Sequence, residues 1–199
     1  DTFFGGGDLN ALLEMPTKMD EKEATQKFEG ILNAKKPLRI LETLGVPVVV
    51  GMNGAALGGG YEIALACHHR IAIDRADVKM GLPEAQLGLM PGAGGVVRMV
   101  RKFGCQNAIT FISQGMQYAG SKALEKGFCD ELAANEEEMH KKAKAWILAN
   151  PAAKQPWDQP GFKIPGGSPA DKDPDQGLVG LFYFGPVNVM NSTKGNFPA

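Results

Sequence analysis

The chain has 199 residues, of which 44% are apolar, 22% charged and 8% aromatic. Its 21 Lys plus Arg against 22 Asp plus Glu give a formal net charge of −1, without the cationic excess that nucleic-acid phosphates demand. Roughly 70% of the unfolded surface of such a chain can be buried, enough for one core, and no apolar run approaches the ~20 residues that span a bilayer.

No basic segment followed by an apolar one opens the chain, so secretion is not expected. The start, Asp1-Thr2-Phe3-Phe4, carries no Met and reads as the beginning of a piece of something longer. Cys67, Cys105 and Cys129 are odd in number and lack C-x-x-C spacing, which points to reduced thiols in a core rather than disulfides or zinc.

Residues 21–44 read as a long helix, with Phe28, Ile31, Leu32, Leu38 and Leu41 forming an apolar stripe that Pro37 disturbs. Residues 45–50 read as a short buried strand, followed by a glycine loop, a buried helix over 61–67 and a strand over 70–73. Helices are expected over 103–113 and 121–126, punctuated by Gly104, Gly120 and Gly127. Residues 136–148 form the clearest amphipathic helix, entered from the N-cap candidate Asn135 and stopped by Asn150-Pro151. Alternating strands and helices with apolar strands imply an α/β layer architecture. Residues 151–199 hold eight of the thirteen prolines. Residues 1–150 therefore read as the core domain and 151–199 as a linker and tail. Within that tail, 151–175 is an extended connector and 178–190 is apolar enough to dock.

Three glycine clusters stand out: Gly5-Gly6-Gly7, Gly58-Gly59-Gly60 and Gly92-Ala93-Gly94-Gly95. Glycines ahead of a helix free backbone N–H groups for a phosphate, a pyrophosphate or a reaction oxyanion. No Gly-Lys-Ser/Thr follows any cluster, which removes the P-loop, and Val50-Gly51-Met52-Asn53-Gly54 has the wrong intervals for a dinucleotide fingerprint. Glycine content alone favours plain tight turns. Two acids shift the balance. Glu62 opens an otherwise apolar helix, and Glu84 follows Pro83 ahead of the third cluster. Singly, they suit a first-turn acid and a surface acid. Together, among apolar residues and free N–H groups, they suit an acid–base pair with a raised pKa.

Phe4-Gly5-Gly6-Gly7-Asp8-Leu9, Asn53-Gly54-Ala55-Ala56-Leu57-Gly58-Gly59-Gly60-Tyr61-Glu62, and Gly81-Leu82-Pro83-Glu84 with Pro91-Gly92-Ala93-Gly94-Gly95 and Arg98 resemble, in order, three motifs of the crotonase (enoyl-CoA hydratase/isomerase) superfamily. The resemblance implies an α/β crotonase (ClpP-like) ββα-spiral fold whose amino-terminal strands would precede Asp1. It implies an acyl-CoA thioester as substrate, and an oxyanion hole made by the backbone N–H groups of Gly7 and Gly59. Glu62 and Glu84 match the two catalytic acids of the hydratase branch. Gly6, Asp8, Leu57, Gly58, Leu82, Pro91 and Gly92 match substrate-binding positions.

Hydration of trans-2-enoyl-CoA to 3-hydroxyacyl-CoA in fatty-acid β-oxidation is the implied activity. A Δ3-Δ2-enoyl-CoA isomerase and a non-catalytic acyl-CoA-binding fragment are the alternatives. Cys67-His68-His69-Arg70, Gln155-Pro156-Trp157-Asp158 and Lys194-Gly195-Asn196-Phe197-Pro198-Ala199 look like a multifunctional fatty-acid oxidation α chain. In that arrangement a 3-hydroxyacyl-CoA dehydrogenase follows the crotonase domain. Hydration needs no cofactor, and NAD enters only with such a dehydrogenase. The arrangement also implies a homo-oligomer or a complex with a thiolase subunit, in a bacterial cytoplasm or an organellar matrix. His68 and His69 are adjacent and lack acidic or thiol companions, so they read as packing residues and no metal is expected.

Overall fold

The computed structural model describes residues 2–5 and 20–167. In chain order the described elements are β1 (Thr2–Phe4), α1 (Glu21–Glu42), β2 (Val49–Met52), β3 (Ala55–Leu57), α2 (Gly59–Ala66), β4 (His69–Ile73), β5 (Met80–Gly81), a 3-10 helix (Pro83–Leu87), α3 (Gly95–Ser113), β6 (Gln117–Tyr118), α4 (Gly120–Glu125), β7 (Glu131–Ala133), α5 (Glu136–Ala149) and a 3-10 turn (Pro156–Asp158). The strands form two sheets, ordered β1-β3-β5-β6 and β2-β4-β7. Every pairing is parallel except β5 with β6. Successive strands β2 and β3 lie in different sheets and lead into α2; β4 and β5 do the same and lead, through the 3-10 helix, into α3. That is the ββα spiral.

Local chemistry explains most boundaries. The Asp20 side chain caps α1 by accepting from Glu23 N at 2.8 Å, and α1 continues through Pro37 to Glu42. The strand expected over 45–50 is displaced to Val49–Met52. Pro47 has no N–H, and Val48 N donates to His68 Nδ1 at 3.0 Å rather than to a ladder, so pairing begins at Val49 with His69. Val46 is exposed, not buried as expected. Each residue of β4 is buried, as a parallel strand covered on both faces should be.

The helix expected over 103–113 is the second half of α3, which kinks at Gly104 (φ 80°, ψ 163°). At α5 the Asn135 side chain accepts from Glu138 N at 2.9 Å, the expected cap.

Phe128 sits at the centre of an aromatic cluster. Tyr61 stacks on it at 5.3 Å between centroids, and Phe103, Phe111 and Tyr118 pack around it at 5.0 to 5.4 Å. Tyr61 is fully buried and its hydroxyl donates to Phe128 O at 3.0 Å. The first turn of α2 is thereby pinned to the core one residue before Glu62.

The remaining landmarks are structural. His68 Nε2 lies 3.1 Å from Glu42 O. His69, expected to lack acidic companions, has two that the β4–β7 pairing brings to it, Glu131 at 3.0 Å and Asp130 at 3.7 Å, and stacks on Trp146 at 4.6 Å. Among the described residues no group of His, Cys, Asp and Glu could hold a metal, and no helix is long and apolar enough to cross a membrane. Cys67 and Cys129 are buried, and burial pushes both thiols up to about 11. Beyond α5 the chain stays on the domain: Gln155 is buried and donates to Ala66 O and Cys67 O at 3.0 Å each. The docking segment expected over 178–190 lies outside the described residues.

Candidate active site

The second and third sequence motifs meet backbone to backbone. Leu57 pairs with Gly81 across β3 and β5, and Gly58 N donates to Gly81 O at 3.0 Å. This register sets the start of α2 beside the turn that carries Leu82 and Glu84. Gly59 is the first residue of α2, so its N–H belongs to the helical turn that has no intrahelical acceptors. Gly60 follows it and abuts the backbone of β1: a Cβ there would collide with the Phe4 carbonyl oxygen. The glycine run is therefore what lets β1 approach the helix. Gly6, Gly7 and Asp8, which continue from β1, lie outside the described residues.

Glu62 is only 2% exposed. Its Oε1 accepts two backbone N–H groups, from Ala93 and Gly95, each at 2.7 Å. The third glycine cluster is thus a cradle for the carboxylate of the second motif, two N–H groups converging on one oxygen. Leu82 is buried beside the same point; a Cβ on Gly95 would stand 3.0 Å from Leu82 Cδ1 and 2.9 Å from Glu62 Oε1. Pro91 is buried and Gly92 exposed at the mouth of this turn.

Glu84 lies in the 3-10 helix Pro83–Leu87. Its Oε2 is buried and has no hydrogen-bond partner. Burial raises the Glu84 carboxyl above the ordinary glutamate range, its own backbone N–H opposes this, and the nearby Glu62 carboxylate adds to the rise. An unpartnered buried carboxyl oxygen close to a second, firmly held carboxylate suits proton transfer. As a device for stability alone it makes little sense.

Of the expected site residues, the structure brings together Leu57, Gly58, Gly59, Glu62, Leu82 and Glu84. Sequence reasoning named Arg98 as a motif residue but gave it no role, and missed Glu42 behind it. Glu42, 4% exposed at the end of α1, pairs with Arg98, 6% exposed, through Nε at 2.7 Å. Arg98 Nη1 also donates to Ala93 O at 3.0 Å. The signal was present: Glu42 lies four residues after Leu38, on the face that the apolar stripe marks as inward.

A family model described as enoyl-CoA hydratase/isomerase matches residues 1–156. The fatty acid oxidation complex subunit alpha of Shewanella halifaxensis is 34% identical over 200 residues, covering 100% of this chain and 26% of the relative. Its counterpart in Shewanella loihica is 32% identical over 199 residues with the same coverage. The chain therefore spans about a quarter of the length of these relatives. Among solved structures, an enoyl-CoA hydratase from Bacillus anthracis matches with TM-score 0.61 and 30% identity, over 73% of this chain and 52% of that one. An enoyl-CoA hydratase from Thermoplasma volcanium shares the fold with TM-score 0.64 at 24% identity, over 74% of this chain and 56% of that one. By motif order, by the ββα spiral and by these matches, the chain belongs to the enoyl-CoA hydratase/isomerase family.

Proposed function

We propose that this chain adds water to trans-2-enoyl-CoA, giving 3-hydroxyacyl-CoA. The observation that carries the reading is the unequal treatment of two neighbouring carboxyl groups. Glu62 Oε1 is fixed by two N–H donors, while Glu84 keeps a buried oxygen without a partner and a raised pKa. A base and an acid of complementary character are what hydration requires.

In this mechanism the thioester oxygen lies on the backbone N–H groups of Gly59 and Gly7, which stabilise the charge that develops as the enolate forms. Water lies between the carboxyl groups. Glu62 takes a water proton through Oε2 as the oxygen bonds to Cβ, and Glu84 gives its proton to Cα. Glu62 then holds the proton that Glu84 has lost, and exchange between them through water restores the pair. No cofactor takes part. Leu57, Gly58, Leu82, Pro91 and Gly92, with Gly6 and Asp8, line the acyl-CoA path in this reading. The names of the Shewanella relatives, subunits alpha of a fatty acid oxidation complex, support a place in fatty-acid oxidation. A bacterial cytoplasmic location, and a homo-oligomer or a complex with a thiolase subunit, are part of the same proposal.

The test is the enoyl-thioester absorbance band on mixing the protein with crotonyl-CoA. Loss of absorbance that requires both glutamates supports hydration. Absorbance that instead appears from a 3-enoyl-CoA would assign the isomerase reaction. Binding with neither change would leave an acyl-CoA-binding module.

A further inference from the structure

We propose that Arg98 is a positioning residue for Glu62, acting through the peptide between Ala93 and Gly94, with Glu42 as its buried counter-ion. The proposal rests on the hydratase reading for its kinetic consequences and on geometry alone for its structural ones.

Three successive peptide units carry the argument. The first presents Ala93 N–H to Glu62 Oε1, and the third presents Gly95 N–H to the same oxygen. The middle unit turns its carbonyl away, and Arg98 Nη1 donates to that carbonyl at 3.0 Å. An uncompensated rotation about ψ of Ala93 or φ of Gly94 would turn one flanking N–H away from the other. Arg98 holds the carbonyl of the peptide that those two angles orient. Gly94 makes room for it, since a Cβ there would stand 2.5 Å from Arg98 Nη1 in a backbone with φ +98°.

A buried guanidinium needs an acid, and Glu42 Oε1 supplies one at 2.7 Å on Nε. The planar fork serves the carboxylate and the carbonyl at once from fixed directions. A lysine ammonium, a point charge on a flexible stem, holds the carboxylate without fixing the carbonyl. Glu42 Oε2 in turn accepts from Arg39 Nη1 at 2.9 Å, and Arg39 forks onto Asp158 at 2.6 and 2.8 Å. This outer pair is more exposed and only steadies the inner one.

A plain ion pair tying α1 to α3 predicts something different, and the 199-residue chain separates the two. Arg98→Lys should keep KM for crotonyl-CoA within about threefold and lower kcat by about 10- to 100-fold, the scale of a misplaced catalytic group. In a Glu62→Gln background the same change should alter kcat by less than about twofold, because its route to the reaction is already gone. Glu42→Leu with Arg98→Met removes both charges; thermal stability should then approach that of the parent while kcat stays low. Amide hydrogen exchange at Ala93 and Gly95 should accelerate in Arg98→Lys. Equal kcat losses in both backgrounds, or parent-like exchange at these two amides, would overturn the proposal. If the parent protein hydrates nothing, the hydratase reading fails, and exchange at Ala93 and Gly95 decides the positioning role by itself.

Discussion

The Gly95 nitrogen lies 2.7 Å from Glu62 Oε1, and a Cβ added to Gly95 would stand 2.9 Å from that same oxygen and from Glu62 Cγ. Donor and bulk compete for one place. Gly95→Ala therefore has to displace Glu62 or Leu82, both buried, at a cost of about 1–3 kcal/mol. Alanine's helix propensity returns only about 1 kcal/mol of this. The expected outcome is a lower denaturation midpoint together with a fall in kcat. Gly30→Ala in α1, where a Cβ would meet nothing within 4 Å, should instead stabilise by about 0.5–1 kcal/mol.

Glu62 and Glu84 should behave as one acid–base unit. Each Glu→Gln change keeps the shape and removes proton transfer, for a kcat loss of about 10²–10⁴-fold. The double variant should fall well short of the product of the singles. Crotonyl-CoA turnover measures all three. Full activity in either single variant removes that residue from the mechanism.

The parts of this site legible in the sequence were those spelled out by local rules. Glu62 sits in the first turn of a short apolar helix after three glycines, and Glu84 follows a proline. Both patterns stand out, and the structure sets the two acids near each other. Likewise Asn135 and Pro151 bracket α5 in sequence as they do in space. Strands β1, β3, β5, β6 and β7 were missed because two or three residues carry no period-2 pattern. The first half of α3 was missed because Gly94, Gly95, Val96 and Val97 disfavour a helix that tertiary packing imposes. Least legible was the Glu62 cradle. It joins residues 31 and 33 positions apart, and only the sheet register brings them together.

Glu84 should give stability an unusual pH signature. Its folded-state pKa is raised above the unfolded value, chiefly by burial. Its contribution is then fully present below the unfolded pKa and is lost as pH rises through the folded one. Glu84→Gln removes that loss. The Tm difference between Glu84→Gln and the parent should be small in acid and grow in favour of the variant toward neutral pH. A variant that is more stable yet inactive is the pattern expected when a catalytic group is held in an unfavourable setting. Calorimetry across this pH range checks it.

Gln155 and Asp158 are three residues apart and should differ sharply in weight. Gln155→Ala takes the side-chain donor from the buried Ala66 carbonyl at the end of α2, while Cys67 O keeps Arg70 Nη1 at 2.8 Å, a loss of about 1–3 kcal/mol. Asp158→Ala breaks the pair with Arg39, whose side chain is 47% exposed, and should cost about 0–1 kcal/mol. Urea denaturation of the two variants should separate their midpoints clearly. Equal midpoints would mean that residues beyond α5 are held by something other than Gln155.

Gly59→Pro tests the oxyanion role of a single N–H. Gly59 is the first helical residue of α2, the position where proline is best tolerated because no intrahelical bond is lost. The substitution therefore deletes the donor with the least disturbance that any position in the helix allows. Circular dichroism should match the parent, and Tyr61 beneath the turn should keep its packing on Phe128. Loss of one oxyanion donor typically costs ~3–4 kcal/mol in the transition state. A kcat drop of about 10²–10³-fold with KM little changed is the corresponding outcome. The donor is needed most as charge moves onto the thioester oxygen, so the loss should fall on kcat. A folded Gly59→Pro protein that hydrates crotonyl-CoA at the parent rate would take the Gly59 amide out of the mechanism.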